Sequence, residues 1–372
     1  MQIIPVTNAA TKKEFLNVCK YIYKDDENYI SPLLQDVEQV FDQGKNPFFS
    51  HGSCTRWILK DNSGRVIGRV AAFINNKKAN QYSVPTGGMG FFECINDEQA
   101  AFQLFDTAKA WLMERGMQAM EGPINFGEND SFWGLLIEGF SPASFGMNYN
   151  PPYYLPLFKS YGFETSYEQI TNTIDLTKPF PERFTKIAKW VSNKPGYTFE
   201  HFKKSQADKY VHDLMEIYND AWENFENFVP IKKETLDESF KKMEIIMDEK
   251  LIWFAYLNGE PASFVVIIPD ANQMIKGFGG KLGLLQKIQF VYRRWRGVSK
   301  MRAIVMGTKA AYQKHGLESA LIIKLGEYVL PKEQYKELEL SWVGDFNEKM
   351  LSIHQATGAT FSKRHLTLRK SF

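Results

Sequence analysis

Tyr312-Gln313-Lys314-His315-Gly316-Leu317-Glu318-Ser319 joins a β-branched run at residues 302–306 to a helical pattern over residues 317–330. A loop that feeds a helix N-terminus presents unpaired backbone N–H groups and the positive end of the helix dipole, which together suit a pyrophosphate. Gly316 permits close approach, and Lys314 and His315 add positive character. Glu318 works against this, because a carboxylate in the first turn crowds or repels phosphate. The plainer alternative is a strand-to-helix loop with a glycine near the cap.

Working outward, a strand over 338–343, a helix over 347–356 and a strand over 362–369 follow the loop. Before it, a strand over 197–202 and helices over 207–222 and 235–247 lead to a hairpin. Its strands, 251–257 and 262–268, meet at Asn258-Gly259, a strong two-residue turn signal. The first half repeats this order. A helix over 11–23 precedes a hairpin whose strands, 57–60 and 66–74, meet at Asp61-Asn62-Ser63-Gly64. A strand at 90–95 leads to a helix over 98–115, capped by Asp97 and ended by Gly116. A strand at 119–123, a short helix at 152–161 and a closing strand at 169–176 complete the half. Thr177-Lys178-Pro179-Phe180-Pro181 and a helix over 182–191 then interrupt the pattern. The reading is a first domain over 1–177, a linker with a helix over 178–195 and a second domain over 196–372, related by duplication.

The loop at 313–319 resembles the Q/R-x-x-G-x-G/A loop of the GCN5-related N-acetyltransferases (GNAT), with Glu318 where that family has Gly or Ala. Residues 347–359 resemble the family's closing helix, N-x-x-A-x-x-L-Y-x-x-x-G-F, with Asn347, Ile353 and Gly358 in register. His354 stands at the position of the tyrosine associated with protonating the departing thiolate of coenzyme A. Histidine suits that task, its unperturbed pKa lying near neutrality; otherwise His354 is a helix residue without chemistry. In the first half, residues 153–163 resemble the same closing helix, with Phe158 replacing the tyrosine. There, Glu93, Asp97 and Glu98 put acids at the helix start, so the first domain resembles a degenerate copy. Asn46-Pro47-Phe48-Phe49, Gly68-Arg69-Val70-Ala71-Ala72, Gly122-Pro123 and Tyr149-Asn150-Pro151-Pro152-Tyr153 are similar to a bacterial group of tandem acetyltransferase-like proteins.

The resemblance implies an α/β (α+β) chain of two acyl-CoA N-acyltransferase-like domains, each a mixed, mainly antiparallel sheet flanked by helices. It implies transfer of an acyl group from acetyl-CoA or another acyl-CoA to an amine or peptide, without a metal. The donor would lie on Met306, Gln313, Lys314, His315, Gly316, Leu317, Ser319 and Asn347. Asp345 or a water chain would take the amine's proton, and His354 would act on the thiolate. Asn125, Asn129 and Asp130, set among aromatics, either line a substrate pocket or belong to an ordinary loop. Two other classes stay open: aminoacyl transfer from tRNA, as in peptidoglycan-bridge enzymes, and a non-catalytic ligand-binding scaffold.

Composition narrows the field. Among 372 residues, 45 basic against 43 acidic side chains leave a net charge of +2, which gives no whole-molecule case for nucleic acid. No run approaches the ~20 apolar residues of a membrane span, and the first residues lack a secretory pattern. Cys19, Cys54 and Cys94 are odd in number without C-x-x-C spacing, as expected of reduced cysteines in the cytoplasm. The 6 histidines show no metal-type spacing. Residues 281–300 carry Lys281, Lys287, Arg293, Arg294, Arg296 and Lys300 without an acid, and read as a basic amphipathic helix. The plainer expectation is a lid packed by its apolar face with the basic face solvated; contact with coenzyme phosphates, an anionic lipid surface or RNA are the alternatives.

Overall fold

Alternating or continuous β-branched runs bounded by turn residues give the strands, and capped amphipathic runs give the helices. A computed structural model describes residues 1–223 and 230–372. The first half contains strands β1 (Gln2–Pro5), β2 (Gly52–Lys60), β3 (Val66–Asn75), β4 (Thr86–Cys94), β5 (Ala119–Gly122), β6 (Leu135–Glu138) and β7 (Glu164–Asp175). Its helices are α1 (Ala9–Ile22), α2 (Leu34–Val40), α3 (Glu98–Met113) and α4 (Tyr154–Ser160). In the second half α5 (Glu182–Ser192), α6 (Ala207–Trp222), α7 (Lys233–Met243), α8 (Ala271–Ile275), α9 (Leu284–Arg296), α10 (Leu317–Val329) and α11 (Glu348–Ala356) accompany seven strands. These are β8 (Tyr197–His201), β9 (Ile252–Leu257), β10 (Glu260–Pro269), β11 (Lys300–Thr308), β12 (Glu337–Glu339), β13 (Val343–Gly344) and β14 (Thr360–Ser371).

Among the described residues the strands form one 14-stranded sheet, with the path β1-β2-β3-β4-β5-β14-β7-β12-β11-β10-β9-β8 and, off it, β6 on β14 and β13 on β7. Pairing is antiparallel except at β4/β5 and β11/β12. The mixed, mainly antiparallel character matches expectation, but two separate sheets do not form. The closing strands are exchanged: β14 pairs β5 of the first half, and β7 pairs β12 of the second. β14 and β7 then pair with each other from Thr360↔Thr173 to Arg369↔Glu164. Burial follows the exchange. Leu366 and Leu368 of β14 enter the first-half core, while Ile174 and Leu176 enter the second-half core. At roughly 1.5–3 kcal/mol for each fully buried large aliphatic side chain, the exchange ties the stability of the halves together. The alternating directions from β5 to β12 also make β4 and β11 antiparallel, so equivalent ends of the halves point opposite ways.

Two expectations need correction. The strand expected over 338–343 ends at Glu339 and resumes as β13 at Val343; between them Leu340 N still donates to Asn172 O (2.9 Å) in register with β7, while pairing with β11 ends at Arg302↔Glu339. The basic segment does form helix α9, but its packing is inverted. Arg293 and Arg294 bond backbone carbonyls of the protein, while most of its apolar residues face solvent. Apolar exposure of this kind is uncommon on a folded surface.

Candidate functional site

β11 and β12 start side by side and then part. They pair only from Lys300↔Glu337 to Arg302↔Glu339. Among the described residues, β11 from Ala303 to Thr308 therefore has no strand partner on the edge facing away from β10. Ser341 bridges the start of this split, its hydroxyl lying 2.9 Å from both Ala303 O and Ile304 O. Alternate backbone groups of that free edge, including the segment around Met306, can meet a ligand as they would a neighbouring strand.

At the open end, β11 leads into the 312–319 loop. Lys314 (φ +71°) and Gly316 (φ +78°) are both left-handed. Gly316 is the N-cap of α10 and supplies no side-chain acceptor. The N–H groups of Leu317, Glu318 and Ser319 have no hydrogen-bond partner among the described residues, whereas Ala320 N bonds Gly316 O at 3.1 Å. Lys314 and His315 are exposed beside them, and Tyr197 Oη lies 2.9 Å from His315 Nδ1. Gln313 accepts from Lys349 Nζ at 2.8 Å, which ties α11 to the loop. Asn347 is committed to capping α11, accepting from Met350 N at 3.2 Å. Glu318 is buried in the first turn of α10. The donor set and a modest anion cradle fit, apart from that carboxylate.

The first half closes the equivalent positions. Asp97 accepts from Ala100 N at 2.7 Å, placing its own carboxylate at the start of α3. The split between β4 and β5 is filled by backbone: Ile124 N donates to Met89 O at 2.9 Å. A Cβ added at Gly90 would lie 1.8 Å from Ile124 O, so glycine is what lets the chain close there.

The loop after β5 crosses to the second-half split. Trp342 Nε1 donates to Asn129 O (3.1 Å), and Arg302 Nη2 donates to Asp130 O (3.2 Å). Buried Arg302 also holds Phe145 O and Met147 Sδ, so one guanidinium docks both this loop and the segment that follows β6. Exposed Asn129 and Asp130 thus stand near the parting of β11 and β12. Asn125 does not join them: it is buried in the first half, with its side-chain oxygen unpaired.

His354 and Asp345 both attach to β7. His354 Nδ1 lies 3.2 Å from Asn172 Nδ2, and the Asn172 carbonyl accepts from Leu340 N. An amide nitrogen only donates, so Nδ1 accepts and the neutral ring carries its proton on Nε2. Burial pushes the His354 pKa down to about 4. At neutral pH the ring is uncharged, so the imidazolium expected from its unperturbed pKa is absent. A pH profile of kcat between pH 5.5 and 8 should therefore have the same shape for the parent and His354→Asn. A limb near pH ~6.5 that vanishes in the variant would give the ring an acid–base role in that range. Exposed Asp345 clips to Glu168, donating from its N to Glu168 O (3.0 Å) and accepting Glu168 N on Oδ1 (3.3 Å).

Sequence reading missed a second cavity, of about 170 Å³, between the halves. Tyr29, Phe91, Glu93, Phe132 and Tyr149 line it from the first half, and Asn272 from the second. Glu93 accepts from Tyr23 and Tyr154 (both 2.8 Å) and from Arg69 (3.4 Å). Burial drives the Glu93 carboxyl upward while Arg69 and the tyrosine hydroxyls oppose it. The available signal was a charged pair, Arg69 and Glu93, inside otherwise apolar strands. No cluster of His, Cys, Asp and Glu among the described residues could hold a metal ion.

No protein-family model matches the chain. It is 29% identical over 381 aligned positions to a protein named bacterial ceramide synthase from Caulobacter vibrioides, covering 100% of this chain and 97% of that one. It is 26% identical to protein YghO of Escherichia coli, covering 96% and 92% respectively. Among solved structures, a tandem GNAT protein from the clavulanic acid biosynthesis pathway superposes with a TM-score of 0.59 at 12% identity, covering 100% of this chain and 98% of that chain. The chain has the tandem GNAT fold.

Proposed function

We propose that this tandem GNAT chain is an acyl-CoA-dependent N-acyltransferase, with its donor on the second half and a long-chain lipid amine as acceptor. The observation that carries the donor assignment is the contrast between the two helix starts: α10 begins with free N–H groups behind Gly316, while α3 begins with its own carboxylate. Lys314, His315 and the N–H groups of Leu317 to Ser319 would hold the phosphates, with Gln313 fixed by Lys349. The free edge of β11 near Met306 would place the thioester in the split and aim a backbone N–H at its oxygen. The acceptor class rests on the full-length relative named a ceramide synthase, since a ceramide is the amide of a long-chain amino alcohol.

The acceptor nitrogen attacks the thioester carbonyl, the C–S bond breaks, and the products are an amide and free thiol. Asp345, exposed at the start of the α11 region, takes the amine proton directly or through water and returns it to the leaving sulfur or solvent. Neutral His354 orders the Asn172 side chain on β7, and offers its Nε2 proton as a hydrogen bond. Asn129 and Asp130 line the acceptor side, held there by Trp342 and Arg302.

Titration calorimetry with acetyl-CoA and a long-chain acyl-CoA, followed by mass spectrometry after adding sphinganine, tests this reading. Donor binding, thiol release and an amide product are expected. No donor binding at millimolar concentration overturns the donor site; donor binding without an amide from any long-chain amine overturns the acceptor class.

A further inference from the structure

Helix α9 stands on the protein with its apolar side outward. Leu284, Leu285 and Trp295 are 76%, 73% and 82% exposed, and Ile288, Val291 and Tyr292 are exposed with them. At 3.6 residues per turn these side chains share one arc of about 120°. The other side of the helix holds it down. Phe290 is buried, Arg293 donates to Met274 O (2.9 Å) and Lys276 O (2.6 Å), and Arg294 donates to Met247 O (3.0 Å). Lys287 and Arg296 flank the apolar arc on opposite edges, and no acidic residue occurs between Asp270 and Glu318. Beside the helix runs a groove of about 650 Å³ whose lining includes Met274, Val291, Trp295, Val298 and Tyr335.

We propose that α9 is an interfacial anchor that lays this arc into the surface of an anionic lipid bilayer. Charge and geometry select that occupant. Leucine and isoleucine enter the acyl boundary, Tyr292 and Trp295 suit the headgroup level, and Lys281, Lys287 and Arg296 meet anionic headgroups. RNA would require the basic face outward, yet Arg293 and Arg294 are committed to backbone carbonyls. A second copy docked through the same face would set basic rims against each other. At 13 residues, the helix is about 20 Å long and too short to span a bilayer. No described helix is long and apolar enough to cross one.

The anchor also sets an orientation. The segment before α9 rests on the first half, where Leu34 N donates to Gly280 O at 2.8 Å. Neighbouring Pro32 and Leu33 line the cavity between the halves. A docked α9 therefore brings that cavity, and the groove along the helix, close to the lipid surface. The inference does not depend on the acyltransferase reading, because it needs neither donor nor acceptor.

Flotation of the full chain with vesicles tests it, using phosphatidylglycerol mixed equally with phosphatidylcholine against phosphatidylcholine alone. The parent should float with the anionic vesicles, weakly with the neutral ones, and less as salt rises. Leu285→Glu/Ile288→Glu should cut partitioning by about tenfold or more with an unchanged circular dichroism spectrum, since both side chains are already in solvent. Lys287→Gln/Arg296→Gln should remove most of the preference for anionic vesicles. The proposal is overturned if the parent stays unbound, or if the glutamate variant floats as the parent does. It is equally overturned if the parent is a dimer at micromolar concentration that the glutamate variant converts to a monomer, because the face then belongs to a second copy.

Discussion

Gly316→Trp should abolish acyl-donor binding in titration calorimetry, a loss of about a hundredfold or more, while the thermal transition moves little. Two effects combine. Gly316 sits at φ +78°, where a side chain costs roughly 1–2 kcal/mol. Even a Cβ there would meet Val191 Cγ2 at 3.1 Å. An indole attached to it must then cover the N–H groups of Leu317 to Ser319 or displace the loop. Residues 313–316 of the loop are exposed or half-buried, so the change reaches the second-half core chiefly at Val191. Glu318→Gly should act in the opposite direction and tighten binding by about tenfold, since it removes a negative charge within the first turn of α10. Glu318→Gln separates the charge from the loss of helix propensity that glycine brings, about 1 kcal/mol. The gain should shrink as salt rises. Equal donor binding by all three variants and the parent places the phosphate site elsewhere.

The local elements around this loop were legible because their signals are local. A β-branched run, a glycine and an apolar helical period define β11, Gly316 and α10 without reference to the rest of the chain. The Asn258-Gly259 turn likewise marks the β9–β10 hairpin. Strand exchange left no comparable mark. β7 and β14 have similar lengths and similar half-buried patterns, so either would satisfy the edge beside β5 or β12. What distinguishes the partners is long-range packing, such as Leu366 and Leu368 in the first-half core. The short strands β6 and β13 were missed because each depends on a long exchanged strand for pairing. The orientation of α9 was illegible for a related reason. An amphipathic pattern fixes two faces but not which one the protein covers, and here backbone carbonyls capture the arginines.

The candidate site was legible in the same uneven way. The acids at the start of α3 announced a helix that caps itself, and Asp97 does so. Nothing in the sequence announced that Ile124 would fill the first-half split against Gly90, yet that contact strengthens the assignment of the donor to the second half. The exchange gives a physical reason for keeping both copies. The site proposed for the second half would draw on Asn172 and Glu168 from β7 and on the loop at Asn129 and Asp130, all encoded in the first half. A duplicated half that had lost its own donor site would still be needed to complete its partner.

The buried ion pair at the exchange should produce the largest stability effect. Glu339 of β12 and Lys363 of β14 are 1% and 2% exposed and lie 3.0 Å apart, with β7 between their strands. Lys300 adds a second contact to Glu339 at 2.9 Å. Burial raises the Glu339 pKa, but the charges of Lys363 and Lys300 outweigh it and hold the carboxyl at about 2. Lys363→Met should cost about 3 kcal/mol in urea unfolding at pH 7, because it leaves a buried carboxylate with one cation. Lys363→Met/Glu339→Leu should recover much of that loss, since the double change removes both charges. The pH dependence supplies an independent signature. With a folded pKa below the ordinary carboxylate value, Glu339 contributes its stabilisation above pH ~4.5 and loses it as pH falls towards 2. Burial holds His354 and His365 at about 4, below the ordinary histidine value, so they lower stability earlier as pH falls from ~6.5 towards 4. Lys363→Met should leave the histidine window in place and flatten the acidic one. A loss below ~1 kcal/mol, or an unchanged slope below pH ~4.5, would mean that Lys300 alone sustains Glu339.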